Sequence, residues 1–288
     1  MPESLRLGTR GSRLAVTQSQ QVADALSSAA NIGVELVVIT TRGDRIKDKP
    51  LPEIGGKGLF TAELESALRD GSIDFAVHSL KDLPTEDPVG LVLGAIPERV
   101  DPRDVLVGYS LDLLPNQGTV ATGSLRRHTQ ISALRPDLNI VGIRGNVPTR
   151  IQKRDSGLCD ATILAAAGLQ RLGISRPDLH PLEVDQMIPA VGQGALAVQC
   201  RAGDSRVLGF LSHIDHEVTR ACVMGERAFL DAYGGGCNVP AGCHIVPESD
   251  GKYRVLAVVA DQKGQCKRVA KIGDDPVALG LYAAGELS

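Results

Sequence analysis

The first two thirds of the chain alternate between strand-like and helix-like patterns, and this alternation restricts the fold more than any other feature. The β-branched run 34–40 indicates a strand, and apolar residues recur at helical spacing before it. A helical pattern ending at Leu68 is followed by the strand-like run 73–77, and the same rhythm continues through residues 104–148. Strands that alternate with helices predict βαβ units and mostly parallel sheets. A continuous apolar run such as 34–40 is expected to be buried on both faces.

The pattern changes near residue 240. Three strand-like runs follow one another at 241–246, 253–260 and 266–272, and a helical pattern covers 276–287. Consecutive strands without intervening helices indicate an antiparallel meander. This part of the chain is therefore predicted to form a small α+β domain of its own.

At 288 residues, the chain exceeds one ordinary core, which predicts two or three domains. Residues 99–104 carry proline and charge and are a candidate crossing between domains, and residues 187–200 are a second candidate. Two α/β lobes joined by two crossing segments would form a hinge with a cleft, where ligands tend to bind. The predicted domains are residues 1–98 with 190–214, residues 99–189, and residues 215–288.

Composition disfavours several classes of protein. The net charge of −3 favours neither nucleic-acid nor membrane binding, and no apolar run approaches the roughly 18 residues that span a bilayer. The N-terminal residues lack the apolar core of a signal peptide, and the six cysteines show no CxxC pair. These observations predict a cytoplasmic protein without a structural zinc site.

The stretch 124–154 concentrates positive charge, with seven Lys or Arg residues and a single acid. Arg126, Arg127 and Arg144 follow predicted strand ends in glycine-containing turns, which is where open α/β sheets bind ligands. Because a guanidinium donates two parallel hydrogen bonds to a carboxylate or phosphate, these three residues predict a site for a polyanion. Residues 153–154 fit a solvated helix face instead.

A second group of polar residues lies earlier in the chain, at the end of the predicted strand 73–77, in the sequence VHSLKDLPT. Lys81 and Asp82 stand before a Leu-Pro pair, and the proline prevents helical continuation and fixes a turn. Neighbouring positive charge would keep Asp82 ionised, so that it could stabilise a cationic intermediate. The alternative is an exposed lysine with a capping aspartate, and the residues alone favour neither.

Cys237 lies in the sequence YGGGCNVP, which begins at Tyr233. The three glycines before it remove side-chain bulk and allow backbone with positive φ, which predicts an accessible cysteine. The surrounding sequence has neither metal ligands at suitable spacing nor a Cys–His hydrolase signature. Covalent attachment of a bulky group fits this loop best.

Two glycine-rich turns match nucleotide-binding loops only in part. Residues 55–58 (GGKG) lack the spacing of a phosphate loop. Residues 192–197 (GQGALA) match GxGxxA, but no βαβ unit with a suitably placed acid surrounds them. Neither turn predicts a nucleotide site.

Longer motifs, in order along nearly the whole chain, resemble the porphobilinogen deaminase (hydroxymethylbilane synthase) family. They are LGTRGSRLAVTQ, TRGDRI, GGKGLFTAELESAL, DFAVHSLKDLPT, PRDVLV, GSLRRHTQI, RGNVPTRIQK, ILAAAGLQRLG, IPAVGQGALAVQCR and GGGCNVPAG. HSLKDLPT, GSLRR and the cysteine loop are the most specific. The resemblance implies an α/β fold: two lobes of type II periplasmic-binding-protein-like topology joined by two crossing segments, plus a small α+β C-terminal domain. It also implies a longer C-terminal helix than the one predicted here.

The resemblance further implies a transferase that deaminates four porphobilinogen molecules and joins them head to tail into the linear tetrapyrrole hydroxymethylbilane, in heme and related tetrapyrrole biosynthesis. The growing polypyrrole would be carried on a dipyrromethane cofactor held by a thioether bond. The expected partners are porphobilinogen and the growing polypyrrole, with no nucleic acid and no membrane. The protein is expected to be a cytoplasmic monomer that passes its product to a uroporphyrinogen III synthase.

By the same resemblance, Asp82 corresponds to the catalytic carboxylate and Cys237 to the thioether anchor of dipyrromethane. The other positions that match the cofactor site are Ser79, Lys81, Asp44, Thr122, Ser124, Arg126, Arg127 and Gly145. The positions that match the substrate site are Arg10, Ser12, Gln18, Lys57, Phe60, Arg144, Arg150, Arg171 and Gln193. No metal site is implied.

Two other classes of protein stay open on the residues alone. A two-lobed binding protein would use the same arginines to hold an organic anion, with no role for Asp82 and no modification of Cys237. A nucleic-acid-binding protein would use the basic stretch, but the acidic net charge and only four Phe and four Tyr for stacking disfavour it.

Cys237→Ser is expected to fold, to lack the mass of dipyrromethane and to give no colour with an acidic aldehyde reagent for pyrroles, because the glycine loop makes Cys237 the accessible thiol. The matched control is Cys243→Ser, which should keep both the mass and the colour, because a cysteine in a strand is normally a small buried thiol. An adduct mapped by peptide mass spectrometry to any other cysteine would contradict this assignment of the anchor.

Overall fold

The structure is a computed structural model that describes residues 4–41, 43, 61–234, 239–261 and 263–288. The strands of this part of the chain are β1 (Ser4–Arg10), β2 (Gly33–Ile39), β3 (Phe75–Ser79), β4 (Leu91–Ala95), β5 (Asp104–Val107), β6 (Thr119–Ala121), β7 (Asn139–Val141), β8 (Ala161–Ala165), β9 (Leu179–Pro181), β10 (Leu196–Arg201), β11 (Ala241–Pro247), β12 (Tyr253–Ala260) and β13 (Cys266–Gly273). Its α-helices are α1 (Arg13–Ala30), α2 (Ala62–Arg69), α3 (Leu125–Leu134), α4 (Val147–Asp155), α5 (Ala166–Arg171), α6 (Ser205–Leu211), α7 (Glu217–Ala232) and α8 (Pro276–Leu287).

The first of two compact units consists of Met1–Arg99 with Ala195–Arg220. It contains a five-stranded sheet in the order β2-β1-β3-β10-β4. β1 is parallel to β2 and β3, whereas β10 is antiparallel to β3 and β4. Its core includes Leu7, Leu26, Phe75 and Val198, so apolar residues of α1, β1, β3 and β10 pack together. The strand that completes this sheet thus comes from far along the chain.

The second unit, Val100–Gly194 with Ala221–Ser288, contains a sheet of related design. Its order is β7-β6-β8-β5-β9, with β6 parallel to β7 and β8, and β5 antiparallel to β8 and β9. Both five-stranded sheets therefore place an antiparallel strand at the fourth position, and each of these strands follows a crossing segment. The predicted α/β fold class with two related sheets is confirmed.

The C-terminal part of the second unit is an antiparallel meander, in the order β11-β12-β13. Phe229 of α7 and Leu279 of α8 pack against Cys243 and Val255 of the sheet, all of them buried. The predicted small α+β region is confirmed. The backbone N–H of Cys243 donates to the carbonyl of Pro189 (3.1 Å), so this region also contacts the segment that precedes β10. The division into three domains stays a prediction.

β2 differs from its prediction. The run was expected to be buried on both faces, but β2 is the edge strand of its sheet, and Val38 is 59% exposed. Its apolar residues are mostly half-buried. A β-branched run predicts a strand equally well at the centre and at the edge of a sheet, because strand position depends on the crossovers and not on local composition.

α1, the longest helix that the structure describes, is amphipathic. It begins after Ser12, whose Oγ accepts a hydrogen bond from the Ala15 N–H (3.3 Å), and its apolar residues Val22, Ala23 and Leu26 are buried. The opposite face of α1 is polar. Within the described residues, no helix is both long enough and apolar enough to cross a membrane.

α7 and α8 approach each other at two glycines. A Cβ on Gly280 would collide with the backbone carbonyl of Gly225 and lie 3.1 Å from the backbone nitrogen of Phe229. Gly285, on the same helix as Gly280, has no atom within 4 Å of its Cβ position. The packing of α7 against α8 therefore requires glycine at position 280 but not at position 285.

Gly280→Ala is expected to lower the free energy of unfolding by about 1–3 kcal/mol, because the new methyl group meets backbone that cannot move aside. Gly285→Ala, on the same helix, should leave the stability unchanged or raise it by up to about 1 kcal/mol, because alanine favours a helix over glycine. Chemical unfolding of both variants measures the difference. Equal effects of the two substitutions would show that the contact between α7 and α8 has been assigned wrongly.

Candidate functional site

Asp82 lies at the end of a short 3₁₀ helix, Leu80–Asp82, which follows β3. Leu80 and Leu83 are buried on either side of it, and the Leu83 N–H donates to the Leu80 carbonyl (3.1 Å). These two leucines hold the turn against the core, while Asp82 is exposed. Among the described residues, no side chain forms a hydrogen bond or ion pair with the Asp82 carboxylate. The carboxylate is therefore fixed at its backbone and accessible at its oxygens.

Four other predicted residues lie near the same edge of the first sheet. Gln18 is buried on α1, and its Nε2 donates to Ser79 Oγ at the end of β3 (3.0 Å). Arg10 is the last residue of β1, and Ser12 is the N-cap of α1. Because β1 and β3 are parallel neighbours, their carboxyl ends meet at one edge. The structure thus brings these predicted residues close to the turn of Asp82.

His78, beside Ser79 in β3, is a buried titratable group at this edge. Its burial lowers the pKa to about 4, against a usual 6.5. The Gln199 side chain, which can accept a hydrogen bond from the protonated ring, opposes the shift, and the positive charge of Arg10 adds to it. His78 is therefore neutral at pH 7. Because the His78 imidazole is uncharged, the positive charge at this edge of the first sheet comes from arginine and lysine side chains.

In the second unit, the predicted residues cluster after β6. Thr122 Oγ1 accepts a hydrogen bond from the Ser124 N–H (3.2 Å), and Ser124 Oγ caps α3 by accepting from the Arg127 N–H (3.4 Å). The two hydroxyls start α3 directly after the strand, so that Arg126 and Arg127 occupy its first turn.

Arg126 and Arg127 are both buried and share one carboxylate, that of Asp104. Arg126 Nη2 and Arg127 Nη2 each lie 2.8 Å from an Asp104 oxygen. Their Nη1 atoms donate to the carbonyls of Ile188 (2.6 Å) and Ile163 (3.0 Å). The structure therefore assigns these arginines internal partners, and their predicted role toward the cofactor stays a prediction.

Arg144 and Arg150 form a more accessible pair. Arg144 is exposed after β7, and Gly145 has a φ of 120°, a conformation that favours glycine. Arg150 Nε donates to the Gly145 carbonyl (2.8 Å). Burial lowers the pKa of Arg150, and repulsion from Arg127 and Arg144 lowers it further. Arg127 and Arg144 are therefore each close enough to Arg150 to repel its charge.

Lys81 is half-buried in the 3₁₀ helix of Asp82, and Arg171 and Gln193 complete the described part of the predicted set. Arg171 Nη2 donates to the Gly194 carbonyl (2.8 Å), its Nε is buried without a hydrogen-bond partner, and burial lowers its pKa to about 10. Gln193 is buried, and its Nε2 donates to the Pro102 carbonyl (2.7 Å) and to Asp104 (2.8 Å). Gln193 therefore contacts protein groups, and its predicted contact with substrate stays a prediction.

The arginines of the second unit fit an anion with several carboxylates. Within the described residues, neither Arg150 nor Arg171 has a carboxylate at ion-pair distance, although Arg171 is buried and Arg150 is half-buried. A buried guanidinium without a counter-ion is costly, and a carboxylate would relieve that cost. This part of the chain also contains no cluster of three acidic, histidine or cysteine side chains that could hold a metal ion.

Asp44, Lys57, Phe60 and Cys237 lie outside the described residues. Their roles in cofactor and substrate binding therefore stay predictions.

Sequence reasoning missed two buried acids. Asp104 starts a strand whose residues are all buried, and an acid in such a place requires cationic partners. Glu226 is fully buried in α7, and its carboxylate accepts hydrogen bonds from the Gly192 N–H (2.7 Å) and the Ile245 N–H (2.9 Å). The motif PRDVLV could have signalled Asp104, whereas no local pattern signalled Glu226.

Arg154 was expected on a solvated helix face, and this expectation is wrong. Its Nε donates to the Asp160 carbonyl (3.2 Å), and its Nη1 pairs with Asp178 (3.2 Å). Arg154 therefore attaches α4 to its surroundings.

The fold and these side chains define an α/β protein of two related sheets, with a set of strand-end arginines suited to an organic polyanion. Two family models match the chain: "Porphobilinogen deaminase, dipyromethane cofactor binding domain" over residues 5–209, and "Porphobilinogen deaminase, C-terminal domain" over residues 220–288. The chain belongs to the porphobilinogen deaminase family.

Curated relatives named porphobilinogen deaminase agree with this membership. Those of Brevibacillus brevis (98% of this chain, 93% of the relative) and Roseiflexus castenholzii (100% and 96%) are each 47% identical to it. That of Syntrophotalea carbinolica is 49% identical (92% and 90%). The similarity therefore extends along nearly the whole length of this chain and of each relative.

Similar solved structures include the methionine-binding protein MetQ, with 16% identity, a TM-score of 0.45, and coverage of 79% of this chain and 97% of that chain. An ancestral cationic amino acid solute-binding protein has 15% identity and a TM-score of 0.45, and 80% of this chain and 91% of that chain are covered. The fold class rests on the strand orders described above and not on these similarities.

His78 should make the protein sensitive to acid. Its pKa is about 4 in the folded state against 6.5 for the free group, so the unfolded state binds more protons between these pH values and stability falls as pH falls. Between pH 7 and pH 4.5, this residue should remove about 2–3 kcal/mol from the free energy of unfolding. In His78→Gln that loss should be missing, which urea unfolding at both pH values measures. Equal pH dependence in the variant and the unsubstituted protein would contradict the neutral, buried state of His78.

Proposed function

We propose that this protein condenses four porphobilinogen molecules into hydroxymethylbilane on a dipyrromethane primer bound to Cys237, with Asp82 as its catalytic carboxylate. The observation that carries the proposal is the match to both family models, which together include the two α/β sheets and the C-terminal meander. The strand-end arginines support it, because porphobilinogen carries two carboxylates and every addition brings further negative charge.

Asp82 is suited to stabilise the charge that develops during deamination. When ammonia leaves the aminomethyl group of porphobilinogen, positive charge spreads onto the pyrrole nitrogen. A carboxylate held in place by the turn between Leu80 and Leu83 can oppose that charge without reorganising. The exposure of Asp82 leaves its oxygens accessible to a substrate.

The arginines of the second unit bind the acetate and propionate side chains in this proposal. Arg144 is exposed and Arg150 lies beside it, so these two are suited to substrate carboxylates. Arg171, buried without a described carboxylate, is suited to a carboxylate that enters with the ligand. Charge-assisted pairs of this kind fix orientation as well as adding affinity.

The described residues also fit a resident dipyrromethane, which carries carboxylates of the same kind. When bound, this group supplies the free pyrrole carbon to which the first porphobilinogen is joined. The described residues that would hold this group are Ser79, Lys81, Thr122, Ser124, Arg126, Arg127 and Gly145. Its attachment to Cys237 keeps the growing polypyrrole on the protein between additions.

The proposal extends to the setting of the reaction. The protein acts as a monomer in the cytoplasm and passes hydroxymethylbilane to a uroporphyrinogen III synthase. The support is the chemistry of the family to which the chain belongs.

Asp82→Asn is expected to fold and to carry the cofactor while its turnover falls by about 10²–10³-fold, because a preorganised charge at a developing cation is lost. The matched control is Asp24→Asn, which removes an exposed carboxylate of α1 in the same unit and should leave turnover unchanged. Intact mass confirms loading, and the release of ammonia and tetrapyrrole measures turnover. Near-normal turnover in fully loaded Asp82→Asn would remove Asp82 from the mechanism.

A further inference from the structure

We propose that Asp104 is a positioning residue for the cofactor site: its buried carboxylate holds Arg126 and Arg127 and partly balances their charge, so that the pair stays ordered and still attracts an anion. The inference deepens the proposed function and rests on it, since it takes Arg126 and Arg127 as cofactor-binding residues. Asp104 acts through the arginines, because its own side chain is fully buried.

The carboxylate of Asp104 receives donors from two different segments of the chain. From α3, Arg127 donates through Nε (3.1 Å) and Nη2 (2.8 Å), and Arg126 Nη2 lies 2.8 Å from the second oxygen. From the segment before β10, Gln193 Nε2 donates to the same oxygen as Arg127 (2.8 Å). The orientation of both guanidiniums therefore depends on one carboxylate.

Asp104 is ionised in spite of its burial. Withdrawal from water would raise the pKa of a carboxyl group, but the charges of Arg126 and Arg127 and the Gln193 hydrogen bond outweigh this effect and lower the pKa of Asp104 to about 2. Buried ions are tolerated only when they are paired, and removing one partner leaves the others uncompensated. Asp104 therefore balances one of the two guanidinium charges.

The second guanidinium charge remains available. Two cations and one anion leave the cluster a single positive charge. Arg127 still acts as a cation on its neighbours, because it contributes to the lowered pKa of Arg150, after the burial of Arg150 itself. A cluster that is both fixed and positive can bind a carboxylate without reorganising. An ion pair of one cation and one anion would leave no net charge to attract a ligand.

The test compares thermal unfolding of apo-protein, made in a host that supplies no porphobilinogen, with the same protein after loading with porphobilinogen. In Asp104→Asn, the apo melting temperature should fall by roughly 6–12 °C, because two buried guanidiniums lose their counter-ion. Loading should recover a large part of this loss, since the carboxylates of the bound pyrroles replace the missing charge. The rise on loading should therefore be several degrees larger in the variant than in the unsubstituted protein.

The control is Asp74→Asn in the first unit, because Asp74 also lies between two arginines, Arg6 (3.3 Å) and Arg201 (3.5 Å), and is buried. A purely structural carboxylate should lower the apo and loaded melting temperatures equally. The same equal loss in Asp104→Asn would overturn the proposal. Failure of the unsubstituted protein to acquire the dipyrromethane mass would instead overturn the proposed function.

The double variant Asp104→Asn with Arg127→Met keeps the test decisive if the single variant does not fold. It restores the net charge of the cluster, so its apo melting temperature should be several degrees above that of Asp104→Asn, and its rise on loading should be no larger than that of the unsubstituted protein. A double variant no more stable than the single variant would show that charge balance is not what Asp104 provides.

Discussion

One glutamine side chain joins the two ends of the stretch Val100–Gly194, which is the first part of the second unit. Gln193 Nε2 donates to the Pro102 carbonyl and to Asp104, residues that precede it by 91 and 89 positions. The backbone adds to this joint, because Gly194 has a φ of 91° and any Cβ there would lie 2.5 Å from the Val100 carbonyl. The antiparallel strand β5 starts at Asp104, so the register of the second sheet and the orientation of the arginines on α3 both depend on this joint.

The fold was largely predictable where one local pattern determines one element. The strand 253–260 and the helix 276–287 have the bounds that their patterns predict. The strand order was not predictable from periodicity, because β10 and β5 enter the middle of their sheets from distant parts of the chain. β2 shows the same limit, since its β-branched residues indicated a strand but not that the strand lies at an edge.

The site was predictable in its chemistry and less so in its partners. Residues at strand ends are visible in sequence, and Asp82 and Arg144 are exposed there. Burial is not visible in the same way. Arg126 and Arg127 follow a glycine turn that would suit an exposed ligand site, yet both contact Asp104, which precedes them by more than twenty positions. Because these residues are far apart in sequence, their ion pairs become visible only when the folded sheet is known.

The insertion of β10 and β5 also sets an order for synthesis. All strands of the second sheet lie between residues 104 and 181, so this sheet has its full set of strands once that stretch has left the ribosome. The first sheet begins earlier but lacks β10 until residue 201. Until then, β3 and β4 have no strand between them, although their own residues were made more than a hundred positions before. The sheet whose strands are made first is therefore completed after the second sheet, and the nascent protein carries unpaired strand edges while residues 104–181 fold.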